Sequence, residues 1–517
     1  MPFDRRTLLA TGAGMAGLLL TGQYAFAQTG ATIRPEPDSP LAHVPVDFTG
    51  ISVEKMQLTD TGWFSGNNHS LAAVLKRLSP HGVLRIGGNS SEFCWWKTKA
   101  DQAPPVIRTI GQGRADNWMP QQFYAIEPAA AEHLRGFLDA CGWRCIWGFN
   151  FGTGSPERNA EEAAFVARVL GKRILYFQIG NEPDFYRETN NRLRPAGWDF
   201  PDYFREWLAM ADAISAKVPD ARFGGPDVGG NSEWIVKFAQ EARSRIGQRL
   251  FGLSGHYYAS GPPDNPKVTA ESLMHCGDAV ARRMAAVAPG VKAAGVPYRM
   301  TEGNSCYRGG KAGMSNALAA ALWGADYMLD MAAHGASGVN FHCGSGAAIS
   351  ASLGGKLPGA FTDHDREIAK LGAFYAPVAG NPSVGFSARP LYYGMMLAEH
   401  FAGTDMIRCP VNSSANVTAF AAHGKNGLQI ALINKEPARI VDVTLDLTAL
   451  KPVRQMAAMA LTGPSLTATE GIRFAGAEVT PGSADWAPKT VRHIAVNAGQ
   501  GLVTLPQSSA VLLVQKG

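Results

Sequence analysis

Eight short apolar runs, each closing on polar or glycine residues, alternate with stretches of helical period between about residues 47 and 345, and they restrict the fold more than any other feature. The runs are Phe48–Glu54, Val83–Gly88, Cys145–Asn150, Leu175–Glu182, Arg222–Pro226, Gly252–Tyr258, Tyr298–Asn304 and Val339–Gly344. Strands alternating with helices predict a parallel sheet joined by crossover helices, and eight such units are the number that closes a (β/α)8 barrel, the TIM-barrel class. Helical patterns over 70–78, 129–140, 160–170, 203–217 and 314–334 supply an outer ring. VLRIGG and LYFQIGNE are almost continuously apolar, as strands covered on both faces should be. Polar residues gather at the C-terminal strand tips, the face where such barrels place their chemistry.

The texture changes after residue 385. Ala419–Ala421, Leu428–Ile433, Val441–Leu447, Val491–Val496 and Ala510–Val514 are short β-type runs between turns. The expected division is therefore a catalytic barrel over 47–385 and a smaller all-β sandwich over 386–517. Residues 28–46, with prolines at 35, 37, 40 and 45, lead into the barrel or pair with the β domain. Residues 1–27 read as an export leader of the twin-arginine type. Arg5-Arg6 precede a glycine-diluted apolar stretch, and Ala25-Phe26-Ala27 resembles a cleavage site. The apolar stretch is too short to span a bilayer, which takes about 20 residues. Gly12-x-Gly14-x-x-Gly17 follows no strand, so it is not a dinucleotide fingerprint. The expected location is periplasmic or secreted, without stable membrane insertion.

Composition removes several function classes. A net charge of +5 on 517 residues, with no run of four Lys/Arg, argues against a nucleic-acid partner. Cysteines at 94, 141, 145, 276, 306, 343 and 409 are odd in number and irregular in spacing, so mostly free, buried thiols are expected; Cys141 and Cys145 could pair or both be core. C-x-x-C, H-E-x-x-H, G-x-S-x-G and P-loop patterns are absent, and no metal or cofactor is called for.

Two carboxylates stand out because each ends a predicted strand and is followed by a turn. Glu182 lies in Ile179-Gly180-Asn181-Glu182-Pro183-Asp184 after the fourth strand, and Glu302 lies in Met300-Thr301-Glu302-Gly303-Asn304 on the seventh. The tips of strands four and seven face each other across a barrel mouth. Carboxyl groups on either side of a glycosidic bond are the apparatus of glycoside hydrolysis: one attacks the anomeric carbon, the other protonates the leaving group. Asn181 suits Glu182 to the acid/base role, which leaves Glu302 as nucleophile. His256 reads as a partner of these groups, Arg85 as a strand residue reaching toward them, and Trp95, Trp96, Trp118 and Trp147 as sugar-stacking or core aromatics.

Five blocks in order resemble glycoside hydrolase family 79, the β-glucuronidase and heparanase family of a retaining barrel clan. They are Gly50–Glu54, Leu84–Ser91, Gly180–Asp184, His256–Tyr258 and Glu302–Gly310. The resemblance implies a retaining hydrolase releasing β-linked glucuronic acid from a glycan or glucuronide, with Glu182 as acid/base and Glu302 as nucleophile. It further implies Tyr258 beside the nucleophile, Tyr307 and the Gly309 backbone N–H on the uronate carboxylate, and Glu54, Asn181, Asp116 and His256 in the substrate-binding set. One departure stands out: Asn340-Phe341-His342 has phenylalanine where a tyrosine is expected, which would remove one hydroxyl from the carboxylate site. The alternatives are a heparanase-like endo-β-glucuronidase, which would need a cleft lined with bases such as Arg187, Arg192, Arg194 and Arg308, and a non-catalytic carbohydrate-binding barrel.

Overall fold

The computed structural model describes residues 29–105, 122–187, 193–425 and 427–515. Eight parallel strands close into a barrel in sequential order: β1 Thr49–Glu54, β2 Val83–Gly87, β3 Arg144–Phe149, β4 Ile174–Ile179, β5 Phe223–Val228, β6 Leu250–Tyr258, β7 Tyr298–Asn304 and β8 Val339–Cys343. Every one lies on a run read from the sequence. The main helices between them are α1 His69–Leu78, α2 Pro128–Cys141, α3 Pro156–Leu170, α4 Phe200–Lys217, α5 Ser232–Ile246, α6 Ala279–Ala294 and α7 Leu318–Ala333, and α8 Pro390–Glu399 follows β8 after short helices over Gly346–Ser352 and Asp363–Leu371.

Local chemistry sets the helix ends. The Asn68 side chain accepts from Leu71 N–H at 3.2 Å to start α1, and Ser155 caps α3 ahead of Pro156. Gly142, at φ +83°, closes α2 in the left-handed conformation that glycine adopts without cost. Helix α7 is apolar almost all round because it is covered on every side. It packs on α8 and on the β domain, where Asp326 accepts from Thr418 at 2.5 Å and pairs with Lys435 at 2.8 Å, while its other acid, Asp330, meets His334 at 3.1 Å.

The boundary expected at residue 385 falls short of the barrel's last element. Helix α8 packs against α7 and α1, and Tyr392 donates to the Val74 carbonyl at 2.7 Å, so α8 completes the helical ring. The β domain begins beyond it as two facing sheets. One sheet runs in the order 411–413, 29–33, 441–446, 500–505; the other in the order 36–43, 405–408, 417–424, 427–434, 509–515, 455–462, 473–474. Residues 29–43 are thus strands of the β domain, with Thr29–Ile33 pairing parallel to Val441–Leu445. Ile33, Leu432, Val443 and Leu513 are among the residues that fill the space between the sheets. All seven cysteines are free thiols, Cys141 and Cys145 buried among them. The leader read over 1–27 lies outside the described residues.

Candidate active site

The barrel interior is polar because inward positions of successive strands carry hydrogen-bonding groups. Arg85 on β2 is fully buried and is the hub. It donates to Gln178 of β4 at 2.9 Å, to Ser52 of β1 at 3.1 Å, to Asn181 at 2.7 Å and to Glu302 at 2.6 Å, and it pairs with Asp227 of β5. Room for this comes from Gly87 and Gly88. A Cβ on Gly87 would overlap the guanidinium, and one on Gly88, at φ +72°, would overlap the Glu54 carboxylate. A buried guanidinium is tolerable when every donor is satisfied and opposite charges surround it.

Glu182 and Glu302 stand at the rim above this hub. Glu182 follows β4 in the left-handed region, at φ +50°, and its N–H donates to the Asp227 carbonyl at 2.9 Å. Such a conformation persists only where the surroundings enforce it. Here Asp184, two residues on, accepts from the backbone N–H groups of Gly229, Gly230 and Asn231 at 2.8, 3.1 and 3.1 Å, tying the loop after β4 to the loop after β5. Glu92 performs a similar task from below, accepting from Asn181 N–H at 2.8 Å and from Phe151 N–H at 2.9 Å. Opposite, Glu302 accepts from Tyr258 at 2.8 Å through one oxygen and from Arg85 through the other. A register shift in β6 between Gly255 and His256 aims both His256 and Tyr258 at the carboxylates.

One oxygen of Glu182, one of Glu302 and a ring nitrogen of His256 lie within 4.8 Å of one another. That trio is engaged internally. His256 meets Glu182 at 2.9 Å and Asp227 at 3.3 Å, while Arg85 and Tyr258 hold Glu302. The surroundings drive the two glutamates apart. Burial pushes the Glu182 carboxyl up, only partly opposed by His256. Burial acts the same way on Glu302, but the electrostatic pull of His342, His256 and Arg85 prevails and holds it down at about 2. His256 itself, though buried, is pushed up to about 10 by Asp227 and Glu302, so it is an imidazolium.

A cavity of about 510 Å³ opens over the pair, within the range of about 300–1,000 Å³ typical of small-ligand sites. Of the residues expected at the site, Glu54, Glu182, Tyr258, Glu302, Tyr307 and Gly309 line it. Glu54 accepts from Ser90 N–H at 2.8 Å and lies 3.3 Å from His342. Asn181 and His256 do not line it. They sit 2% and 1% exposed behind the cavity wall, Asn181 held between Arg85 and Asn89 and His256 against Glu182. Asp116, Trp118 and Arg192 lie outside the described residues. Trp95, Trp96 and Trp147 are core; Trp147 donates to Glu162 at 2.7 Å on the helical side of the barrel. Arg187 and Arg194 pair with Asp199 and Glu206, whereas Arg308 joins the cavity wall.

The concern about residue 341 is corrected by strand alternation. Asn340 and His342 face the barrel interior, and Phe341 points the other way, onto Trp323 and Tyr327 of α7 at 5.5 and 6.0 Å. No hydroxyl is lost from the cavity there. A phenol arrives from a residue the sequence did not mark, Tyr375, which lines the cavity beside Tyr258. Asp227 was also missed, because Pro226 was read as the end of β5, which continues to Val228. Phe185, Ile349 and Leu353 complete the wall without any periodic signal.

The comparisons with known proteins bear on this geometry. No protein-family model matches the chain. Two curated relatives do: a beta-glucuronidase of Aspergillus niger, 24% identical over 318 residues, 58% of this chain and 56% of that protein; and a beta-glucuronidase of Neurospora crassa, 25% identical over 387 residues, 68% of this chain and 64% of that protein. The chain thus spans less than two thirds of either relative's length. Among solved structures, a 4-O-α-L-rhamnosyl-β-D-glucuronidase from Fusarium oxysporum superposes with a TM-score of 0.71 at 17% identity, covering 93% of this chain and all of that one. A family 51 arabinofuranosidase from Xanthomonas axonopodis pv. citri gives 0.65 at 15%, covering 95% and all. These superpositions bear out the barrel followed by an all-β domain, and the two curated relatives bear out the resemblance read from the motifs.

Proposed function

Taking this chain as a relative of the family 79 glycoside hydrolases, we propose that it is a retaining β-glucuronidase. The observation that carries the reading is the pair of rim glutamates, oxygens within 4.8 Å, one driven toward its protonated form and the other toward its ionised form. Retaining hydrolases hold their carboxyl groups at about 5–5.5 Å, inverting ones at about 6.5–9.5 Å to admit a water.

In the first step the ionised Glu302 attacks the anomeric carbon. The bond to the aglycone oxygen breaks as Glu182 delivers its proton to that oxygen, leaving a glycosyl ester on Glu302 and a carboxylate at Glu182. In the second step Glu182 takes a proton from water, the oxygen of that water attacks the anomeric carbon, and Glu302 departs ionised. Arg85 and Tyr258 fix the attacking oxygens of Glu302. The uronate carboxylate is directed to the Tyr307–Gly309 turn, where a phenol, a backbone amide and the neighbouring Arg308 offer donors. The leader read over 1–27 would place this activity outside the cytoplasm.

The test uses aryl β-glycosides differing only at carbon 5: carboxylate, hydroxymethyl or hydrogen. The glucuronide should be strongly preferred, its first product should be the β-anomer, and Glu302→Ala or Glu182→Ala should each abolish turnover. Full activity in either variant, or indifference to carbon 5, overturns the assignment.

A further inference from the structure

The cavity wall is chemically two-sided, and barrel order says which side holds what. Tyr307 and Gly309 follow β7, and Ile349 and Leu353 follow β8. Across the mouth, after β4 and β5, the wall is made by Phe185 and Gly229. Phe185 comes three residues after Glu182, on the same turn, its N–H donating to the Glu182 carbonyl at 2.9 Å. It is one of the exposed large apolar side chains, at 38%.

Its ring is held rather than loose. A Cβ at position 229 would overlap the Phe185 ring, so the ring lies directly on the Gly229 backbone, and Asp184 holds that backbone in place through the Gly229 N–H at 2.8 Å. An apolar ring kept open to a cavity, on a backbone cleared to receive it, is a stacking surface. The proton donor must stand beside the bond to the aglycone, so what adjoins Glu182 adjoins the leaving group and not the uronate.

We propose that Phe185, seated on Gly229, is the aglycone platform of this site, taking leaving groups that present a flat apolar face. An aromatic ring and the face of a pyranose share that chemistry. The inference rests on the glucuronidase reading above.

The experiment compares kcat/KM for 4-nitrophenyl β-glucuronide, a disaccharide with glucuronic acid β-linked to a hexose, and methyl β-glucuronide, in the wild type, Phe185→Ala and Gly229→Ala. Each variant is expressed as a ratio to wild type on the same compound, which cancels leaving-group reactivity. Both substitutions should lower the ratio about tenfold more for the nitrophenyl compound than for the methyl one. Loss on the aryl compound alone identifies aromatic aglycones, and loss on the disaccharide as well extends the platform to sugars. Equal loss on all three compounds, or none on any, overturns the platform. A wild type that cleaves none of the three overturns the glucuronidase reading instead, and this inference with it.

Discussion

Glu182 and Glu302 carry the same functional group, and their different behaviour comes entirely from neighbours. Glu302 is surrounded by His342, His256 and Arg85, which outweigh burial, whereas at Glu182 the pull of His256 does not outweigh burial, and Glu302 and Asp184 push it further up. His256 lowers Glu182 both as a hydrogen-bond partner and as a charge. Replacing it with glutamine keeps a donor and removes the charge. The hydrolytic activity proposed here should fall with rising pH as Glu182 loses its proton. In His256→Gln that alkaline limb of kcat/KM should move to higher pH, because the carboxyl stays protonated longer. A pH–rate profile of the variant checks this, and an unmoved limb would remove His256 from the control of Glu182. At this scale the sequence marked both glutamates and Arg85 through their places on strands. It did not mark Asp227, since a proline one residue before looked like a strand end.

Elements were legible wherever period was strong. All eight strands follow from apolar runs and tip residues, and α1 to α4 and α7 from their helical patterns. What period does not encode is which face meets what. Phe341 looked like a cavity residue in sequence, and the alternation of β8 turns it onto α7. Helix α8 lies beyond the boundary expected at residue 385, in a stretch whose texture is mostly β-type runs. Its contact with α7 gives a direct test. A Cβ on Gly394 would collide with the Ala321 carbonyl oxygen, a backbone atom that cannot step aside. Within a helix, Gly→Ala ordinarily gains up to about 1 kcal/mol, but overpacking costs typically 1–3 kcal/mol. Gly394→Ala should therefore lower stability by roughly 1–2 kcal/mol, read as a reduced urea midpoint. An increased midpoint would mean that the two helices separate freely.

Across the whole molecule the buried ion network ties stability to pH. Glu302 is held at about 2 against an ordinary 4.5, so its contribution is present above pH 4.5 and is lost as pH falls toward 2. His256 is held at about 10 against an ordinary 6.5, so its contribution is full below pH 6.5 and is lost as pH rises toward 10. Glu182, raised by burial, acts in the same direction as His256. Thermal unfolding should give the highest Tm between pH 4.5 and 6.5, with a decline on either side. A Tm that climbs steadily from pH 6 to 9 would contradict the network described for His256.

By itself the sequence determined the number and order of the strands, the all-β domain and the positions of the two glutamates, because these depend on local period and on which residues end a strand. Only the tertiary structure decided which groups surround each glutamate, that residues 29–43 belong to the β domain, and that Tyr375 and Phe185 complete the cavity. Those facts depend on contacts between residues far apart in the chain, and close packing, not local preference, selects them.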